Sequence, residues 1–549
     1  DDVWRQTRVR LDPPPDEVLP HEGRVTARWN VTLEPRGAAR LRLAVEPLIG
    51  DDAPVDGGMA EAAARIERDE RRWRDSSTRF AVDDRALDRV LQTSLNDARA
   101  LMTPMDDGRI PAAGVPWFVC PFGRDSLIAS YGLLSLATGP ARETLLLLAA
   151  RQATEDDPER DAEPGKILHE LRYGELARAG YVPHRPYYGT ADATPLFLIV
   201  AAAYHRWTAD LKTMARLRPH FDAALAWIDE HGDRDGDGFV EYLRRAPRGG
   251  LQNQGWKDSA TSMVHADGAL AEGPIALCEV QAYVYAAKRA IADVYGALGE
   301  RETAARLRGE AQRLRSAFHE AFWMPEEGTF ALALDGSKRQ LKSVTSNAGH
   351  CLFAGIVDAD RAAAVVERSM AEDMFTGWGI RTLASTSASY DPTSYHNGSV
   401  WPHDSAMVAA GFKSYGFDAE ARTVGAALLD AAAAADDLRL PELYSGLPRT
   451  GKRPERYAAA CRPQAWAAVT PFFLLQTLLG IEADAPAGHL RIERPRLPER
   501  LGSVGVENLG VGPGRVHLRF ESRGEATTVV ESRAEGPVTV EILEPPAPA

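Results

Sequence analysis

The feature that most restricts how this chain can fold is the alternation in length of the connections between its helical segments. From residue 83 to about 480, apolar residues recur with helical spacing in twelve segments: 83–102, 124–137, 141–153, 192–206, 210–230, 274–298, 300–321, 344–354, 358–371, 402–414, 417–434 and 463–479. After the even-numbered segments the chain turns within a few residues, at Gly139-Pro140, Thr208-Ala209, Gly299, Gly355 with Asp358, and Gly416. After the odd-numbered ones the connections run to roughly 20 to 40 residues, far beyond ordinary helix links. Helices joined by tight turns are antiparallel, so every long connection leaves from one end of the array. Two architectures fit, a closed double ring of six inner and six outer helices, which is an (α/α)6 barrel, and an open solenoid of helical hairpins. A solenoid carries a fixed sequence period, and none runs through this chain. The closed barrel is therefore expected, with binding and catalysis on the long loops of one face.

Both ends read as β structure. Residues 24–49 alternate apolar and polar side chains around Glu34-Pro35-Arg36-Gly37, which predicts a hairpin, and 488–544 is β-like. The stretch 59–76 is charged on most faces and predicts a connecting helix. The expected layout is a β segment over 1–50, a linker with a helix over 51–82, the barrel over 83–482 and a C-terminal β segment over 483–549. Two strands cannot bury a core alone. Either they pair with the C-terminal tail, or they are the remnant of an N-terminal β-sandwich whose other part is missing or separate.

Composition removes several function classes. No stretch of about 18 apolar residues runs without a charge, so no membrane span is predicted. The formal charge of −14 repels phosphate backbones, and nucleic acid is not an expected partner. Cys120, Cys278, Cys351 and Cys461 are far apart and lack CxxC spacing, which reads as four reduced thiols. The first residues carry no basic start or apolar core of a leader, so a cytoplasmic location is expected. Oligomeric state is not legible.

The long loops hold the chemistry. The first contains GVPWFVCPFGRDS, where Trp117 and Phe118 offer flat apolar walls and Arg124 and Asp125 charged hydrogen bonders, a combination that suits a sugar ring. Arg124 and Asp125 read equally as caps of the next helix. The second holds His169, Glu170, Arg172, Tyr188 and Asp192, which either line a pocket or form a polar network beneath it. The third carries HGDRDGDGFVEY, whose Asp233, Asp235 and Asp237 alternate as calcium ligands do, with Glu241 as a further candidate. Position twelve of an EF-hand loop would be Arg244, so this is not an EF-hand, and a metal-free Asx-rich turn fits the pattern better. No other cofactor is expected. QGWKDS follows, with Trp256 and Lys257 beside Asp258. The fifth loop holds GWGIRT and SYHNGSVWPHDS, and the sixth RLPELYSG and ACRPQAW. Glu442 there is an acid in an apolar setting, an unusual place for a solvated charge.

Glycosidic hydrolysis needs one carboxylic acid to protonate the leaving oxygen and a second carboxylate to activate water or attack carbon. Asp258 and Glu442 sit on the third and sixth long loops, hence on opposite sides of a six-fold ring. The alternative is that Asp258 caps a helix and Glu442 pairs with an arginine. Other chemistries lack their parts, with no GxSxG, Walker loop, HExxH or GxGxxG after a strand.

The runs PWFVCPFGRDS, EPGKILHELRYGE, YYGTADATPLF, DGDGFVEY, NQGWKDS, CEVQAYVYAAKRA, WGIRTLAS, YHNGSVWPHDSA, LPELYSG and CRPQAWA, in this order over about 85–480, closely resemble the bacterial amylo-α-1,6-glucosidase, or glycogen-debranching-like, family. The resemblance implies an (α/α)6 barrel similar to that of glucoamylases, and an inverting mechanism with Asp258 as general acid and Glu442 as general base. It implies that Arg124 and Asp125 hold the terminal sugar. Trp117, Tyr188, Asp192, Lys257, His396, Asn397, Trp401 and Gln464 are carried over as sugar contacts, and Glu279, Gln281, Arg381 and Tyr444 lie in the matching runs as further candidates. Family members carry a larger N-terminal β-sandwich, of which residues 1–50 resemble only the last strands. The expected function is thus an inverting, exo-acting α-glucosidase on a glucan, an oligosaccharide or a small glucoside. Its alternatives are the same fold acting on an α-rhamnoside or α-mannoside, a disaccharide phosphorylase, and a non-catalytic carbohydrate-binding protein.

Overall fold

The computed structural model of the chain describes residues 4–50, 59–105, 108–524 and 526–543. The opening of the expected linker, 51–58, lies outside the described residues. Two units divide the chain, Asp1–Arg72 and Trp73–Ala549.

In the first unit Arg5–Asp12 pairs antiparallel with Arg42–Ile49, and Glu17–His21 with Arg24–Arg28. The second pair closes through Glu22 and Gly23, and Gly23 adopts φ +72, a left-handed conformation that glycine takes without steric cost. The hairpin expected over 24–49 does not form. Its turn exists, with the Gly37 N–H donating to the Glu34 carbonyl at 2.7 Å, but the strands stop at Arg28 and resume at Arg42. Alternation marks the faces of a strand and leaves its partner open, and here the tighter turn at Gly23 takes residues 24–28. A helix follows over Met59–Ser76.

All twelve expected helices of the second unit are present. Six of them pack in sequence: Gly123–Gly132 on Ala193–Thr208, then Cys278–Ala297, Asn347–Phe353, Pro402–Ser414 and Ala465–Leu478, which returns to Gly123–Gly132. Nearly every side chain of Ala193–Thr208 and Ala465–Leu478 is buried, as a helix covered on all sides requires. The alternate helices Arg85–Leu101, Gly139–Ala149, Leu211–Ala226, Arg301–Phe322, Ala359–Met370 and Asp418–Ala434 pack outside them. Arg301–Phe322 shows why: Ala304, Leu307, Ala311, Leu314 and Phe318 form one buried stripe, and its other faces are charged and open to solvent. The fold is of the (α/α) barrel type.

The C-terminal strands pair with one another and with one short strand that precedes the barrel. Ser503–Val511 pairs with Arg79–Val82 on one edge and Gly514–Arg523 on the other, with Ala526–Glu535 beyond. Ile481–Asp484, His489–Glu493 and Thr539–Leu543 form a second sheet. No helix among the described residues is long and apolar enough to cross a membrane.

Candidate active site

The starts of the inner helices converge on the long-loop end. Three of the six carry an acid in the first turn, Asp125, Glu279 and Asp404, where the positive helix terminus favours negative charge. Helix Gly123–Gly132 is seated by backbone contact, its Gly123 N–H donating to the His169 carbonyl at 2.9 Å. A Cβ at position 123 would lie 2.0 Å from the Leu168 carbonyl oxygen, so only glycine allows this approach. The following residues, Arg124 and Asp125, are thereby fixed at the ring's mouth.

A cavity of about 300 Å3 opens there, with Asp258 and Glu442 both in its wall. Its walls differ in exposure. The inner wall is made by Arg124, Asp125, Trp256, His396, Trp401 and Trp466, each 5% exposed or less. The outer wall comprises Phe118, Arg172, His184 and Leu251, which are partly open, together with the buried Glu170 and Phe122. The two carboxyls follow the same division, since the Asp258 side chain is 26% exposed and Glu442 only 2%. The inner wall is an aromatic box. Trp256 meets Trp401 edge-on at 5.7 Å and His396 at 5.8 Å, and Trp466 stacks on His403 at 3.8 Å.

Arg124 links the acids. Its Nη1 donates to both oxygens of Asp192, at 3.1 and 3.3 Å, while Nη2 lies 3.4 Å from Oδ2 of Asp258. Burial pushes the Asp258 carboxyl up to about 6 against the pull of Arg124, and the Asp125 carboxyl up to about 7 in the same way. Glu442 is also raised by burial, opposed by two donors: the Cys461 N–H on Oε2 at 2.8 Å and the Tyr395 hydroxyl on Oε1 at 2.6 Å. His169, His396 and His403 are held neutral, chiefly by burial. The arrangement can give a proton from one carboxyl, accept one at another and hold a ring between aromatic faces.

The sequence-predicted residues divide cleanly. Phe118, Arg124, Asp125, His169, Glu170, Trp256, Asp258, His396, Trp401 and Glu442 line the cavity. The others lie outside its lining, most of them hydrogen-bonded to the protein. Asp192 is fully buried against Arg124, and Gln464 caps the helix it precedes while donating to Asp125 at 3.3 Å. The Tyr188 hydroxyl donates to the Arg151 carbonyl and that of Tyr444 to Trp378. Lys257 is buried, donates to the Thr382 carbonyl and is pushed down to about 8 by burial. Gln281 is tied to the Val240 backbone, Arg381 to the Gly446 and Glu372 carbonyls, and Asn397 to the Thr261 carbonyl. Glu279 is fully buried, at the start of its helix. Trp117 is on the surface, 56% exposed.

Phe122, His184, Leu251, Tyr395 and Trp466 line the cavity without having been singled out. All lie within or beside the quoted runs. The one signal available was proximity, because a run of loop residues does not reveal which neighbour turns inward.

The Asp-rich loop holds a lysine. Asp233, Asp235 and Asp237 place carboxyl oxygens within 4.8 Å of one another. The Lys338 ammonium lies 2.8 Å from Asp235, 2.6 Å from Asp237 and in contact with Glu241. Against partial burial, these hydrogen bonds raise the Lys338 pKa and keep the ammonium charged. Asp233 spends both oxygens on the Gly236 and Gly238 N–H groups.

Comparison with known proteins bears on the family and the fold. The sequence profile of the mannosylglycerate hydrolase MGH1-like glycoside hydrolase domain matches residues 125–458. No curated protein matches the chain. Among solved structures, a GH78 family rhamnosidase of a Bacillus species is similar with a TM-score of 0.59 and 14% identity, over 85% of this chain and 43% of that one. The chain thus spans less than half the length of that rhamnosidase. A GH63 mannosylglycerate hydrolase from Thermus thermophilus, in complex with Tris and D-glycerate, is similar with a TM-score of 0.52 and 18% identity, over 70% of this chain and 99% of that one. At these identities the likeness is one of fold. The matching profile differs from the amylo-α-1,6-glucosidase family that the sequence runs resemble.

Proposed function

This chain belongs to the mannosylglycerate hydrolase MGH1-like glycoside hydrolase family, and from that premise we propose that it is an inverting, exo-acting α-glycosidase whose glycone is manno-configured, a terminal α-mannosyl or α-rhamnosyl unit. The ring of twelve helices is read as an (α/α)6 barrel. D-mannose and L-rhamnose share an axial 2-hydroxyl, and the names of the family and of both similar enzymes refer to one or the other sugar. This reading replaces the α-glucosidase expected from the sequence runs.

The observation that carries it is the unequal exposure of two carboxyls on one cavity. A sugar enclosed by the inner wall has its anomeric carbon between Glu442, deep, and Asp258, nearer the opening, so the leaving group points outward past Asp258. Asp258, protonated, gives its proton to the glycosidic oxygen as the C1–O bond breaks. Glu442, ionised, takes a proton from a water that forms the new C1–O bond on the opposite face, and the product is inverted. Arg124, 3.4 Å from Asp258, stabilises the carboxylate left behind. Proton exchange with solvent restores both groups.

The test is hydrolysis of α-mannosides, α-L-rhamnosides and α-glucosides, with NMR of the first anomer released. A β-configured first product from a manno-configured substrate supports the proposal. An α-configured first product, or turnover confined to glucosides, overturns it.

A further inference from the structure

The deep wall of the cavity is polar and aromatic, but the outer wall and the surface beyond it have another chemistry. Glu170 and Arg172 bring charge to the outer wall, with His184 beside them held toward its neutral form chiefly by burial, and the two opposite charges face each other. Glu170 Oε1 accepts from Arg172 Nε and from the Cys120 thiol, and its Oε2 lies 3.1 Å from His184 Nδ1. Arg172 Nη2 donates to the Trp117 carbonyl, and its guanidinium lies over the Phe118 ring at 6.0 Å. Within this wall the Glu170 carboxylate and the Arg172 guanidinium neutralise each other, which weakens the pull the wall exerts on an anionic aglycone.

What the outer region presents instead is apolar surface. Phe118 and Leu251 are in the wall itself. Past them, on the two segments that Arg172 joins, Trp117 is 56% exposed, Leu176 62% and Tyr181 75%. An exposed indole ordinarily rotates freely, but Trp117 Nε1 donates to the Ala459 carbonyl at 2.9 Å, which fixes its ring while leaving it open to solvent. Exposed apolar groups on the segments that border a binding cleft mark a recognition surface.

We propose that this outer wall and its rim form an aglycone site selective for an apolar, ring-bearing alcohol over a second sugar or a small anionic acid. The inference rests on the glycosidase reading, because the exit of the leaving group past Asp258 brings the aglycone to this wall.

The test compares methyl and 2-phenylethyl α-glycosides of mannose, rhamnose and glucose, whose leaving alcohols are of similar acidity, with the corresponding glyceric acid glycosides. The expected result is a kcat/KM for the 2-phenylethyl glycoside about 10-fold or more above the methyl glycoside, mostly through KM. Trp117→Ala and Tyr181→Ser each cut that ratio by roughly 3-fold or more. Equal rates on methyl and 2-phenylethyl glycosides, or a preference for the glyceric acid glycoside, overturn the aglycone assignment and leave the glycosidase reading standing. Absence of turnover on every sugar overturns the glycosidase reading and this inference with it.

Discussion

Tyr395 donates its hydroxyl hydrogen to Oε1 of Glu442 at 2.6 Å. The bond stabilises the ionised carboxyl, in opposition to the burial that raises it. Tyr395→Phe therefore moves the acid limb of the kcat/KM profile to higher pH and lowers kcat by about 10-fold, with a smaller change in KM. Circular dichroism separates this from misfolding. An unmoved acid limb would show that Tyr395 only packs.

Replacing the two carboxyls separates their proposed roles. Asp258→Asn and Glu442→Gln each lower kcat by ~10² to 10⁴ while largely sparing binding. Asp258→Asn is partly bypassed by substrates with an acidic leaving phenol, which needs no proton, and Glu442→Gln is not. Wild-type turnover in either variant removes that residue from the chemistry.

The pH dependence has a definite sign on the alkaline side. An acid must hold its proton, and burial pushes Asp258 up to about 6, so kcat/KM declines as pH rises above about 6 and approaches tenfold per unit. A plateau extending to pH 8 in a rate–pH profile would contradict the assignment of Asp258 as the acid.

How much of this was readable beforehand depended on the kind of signal. Helix periodicity and connection length are local, so the twelve barrel helices and the end of the array where the cavity opens are legible. Strand partnering is non-local, and the Arg79–Val82 strand that docks on Ser503–Val511 was assigned to a linker. Within the loops, Trp256 and Glu442 followed from residue type and setting. Tyr395 and His396 are neighbours that both reach the cavity, and only His396 was chosen. Arg381 and Tyr444 are satisfied by backbone carbonyls, partners that a sequence does not display.

Asp125 links the site to stability. Burial, against Arg124, raises its carboxyl from 3.8 to about 7. Between those values the folded chain keeps a proton that the unfolded chain has released. The stability this contributes is complete below the unfolded value and is lost as pH rises through about 7. Asp125→Asn therefore leaves thermal stability near pH 4 unchanged and raises it at pH 8, by about 1 to 3 kcal/mol, while activity falls. Equal melting temperatures of variant and wild type at pH 8 would refute the shift.

The last prediction concerns the Asp-rich loop. Calcium and a lysine ammonium compete for the same carboxyl oxygens, and Lys338 reaches Asp235, Asp237 and Glu241 from within the chain. A tethered cation avoids the entropy of capturing a free ion, so the loop is expected to be indifferent to calcium. Lys338→Met leaves the buried Glu241 carboxyl beside two other acids and costs about 1 to 2 kcal/mol, discounted because the lysine side chain is about a third exposed. In that variant the acids regain free lone pairs, and millimolar calcium restores part of the lost melting temperature. Melting curves of wild type and Lys338→Met, each with calcium and with chelator, decide the matter. A wild-type protein stabilised by several degrees in calcium would mean that the ion displaces Lys338 and that the loop is a metal site after all.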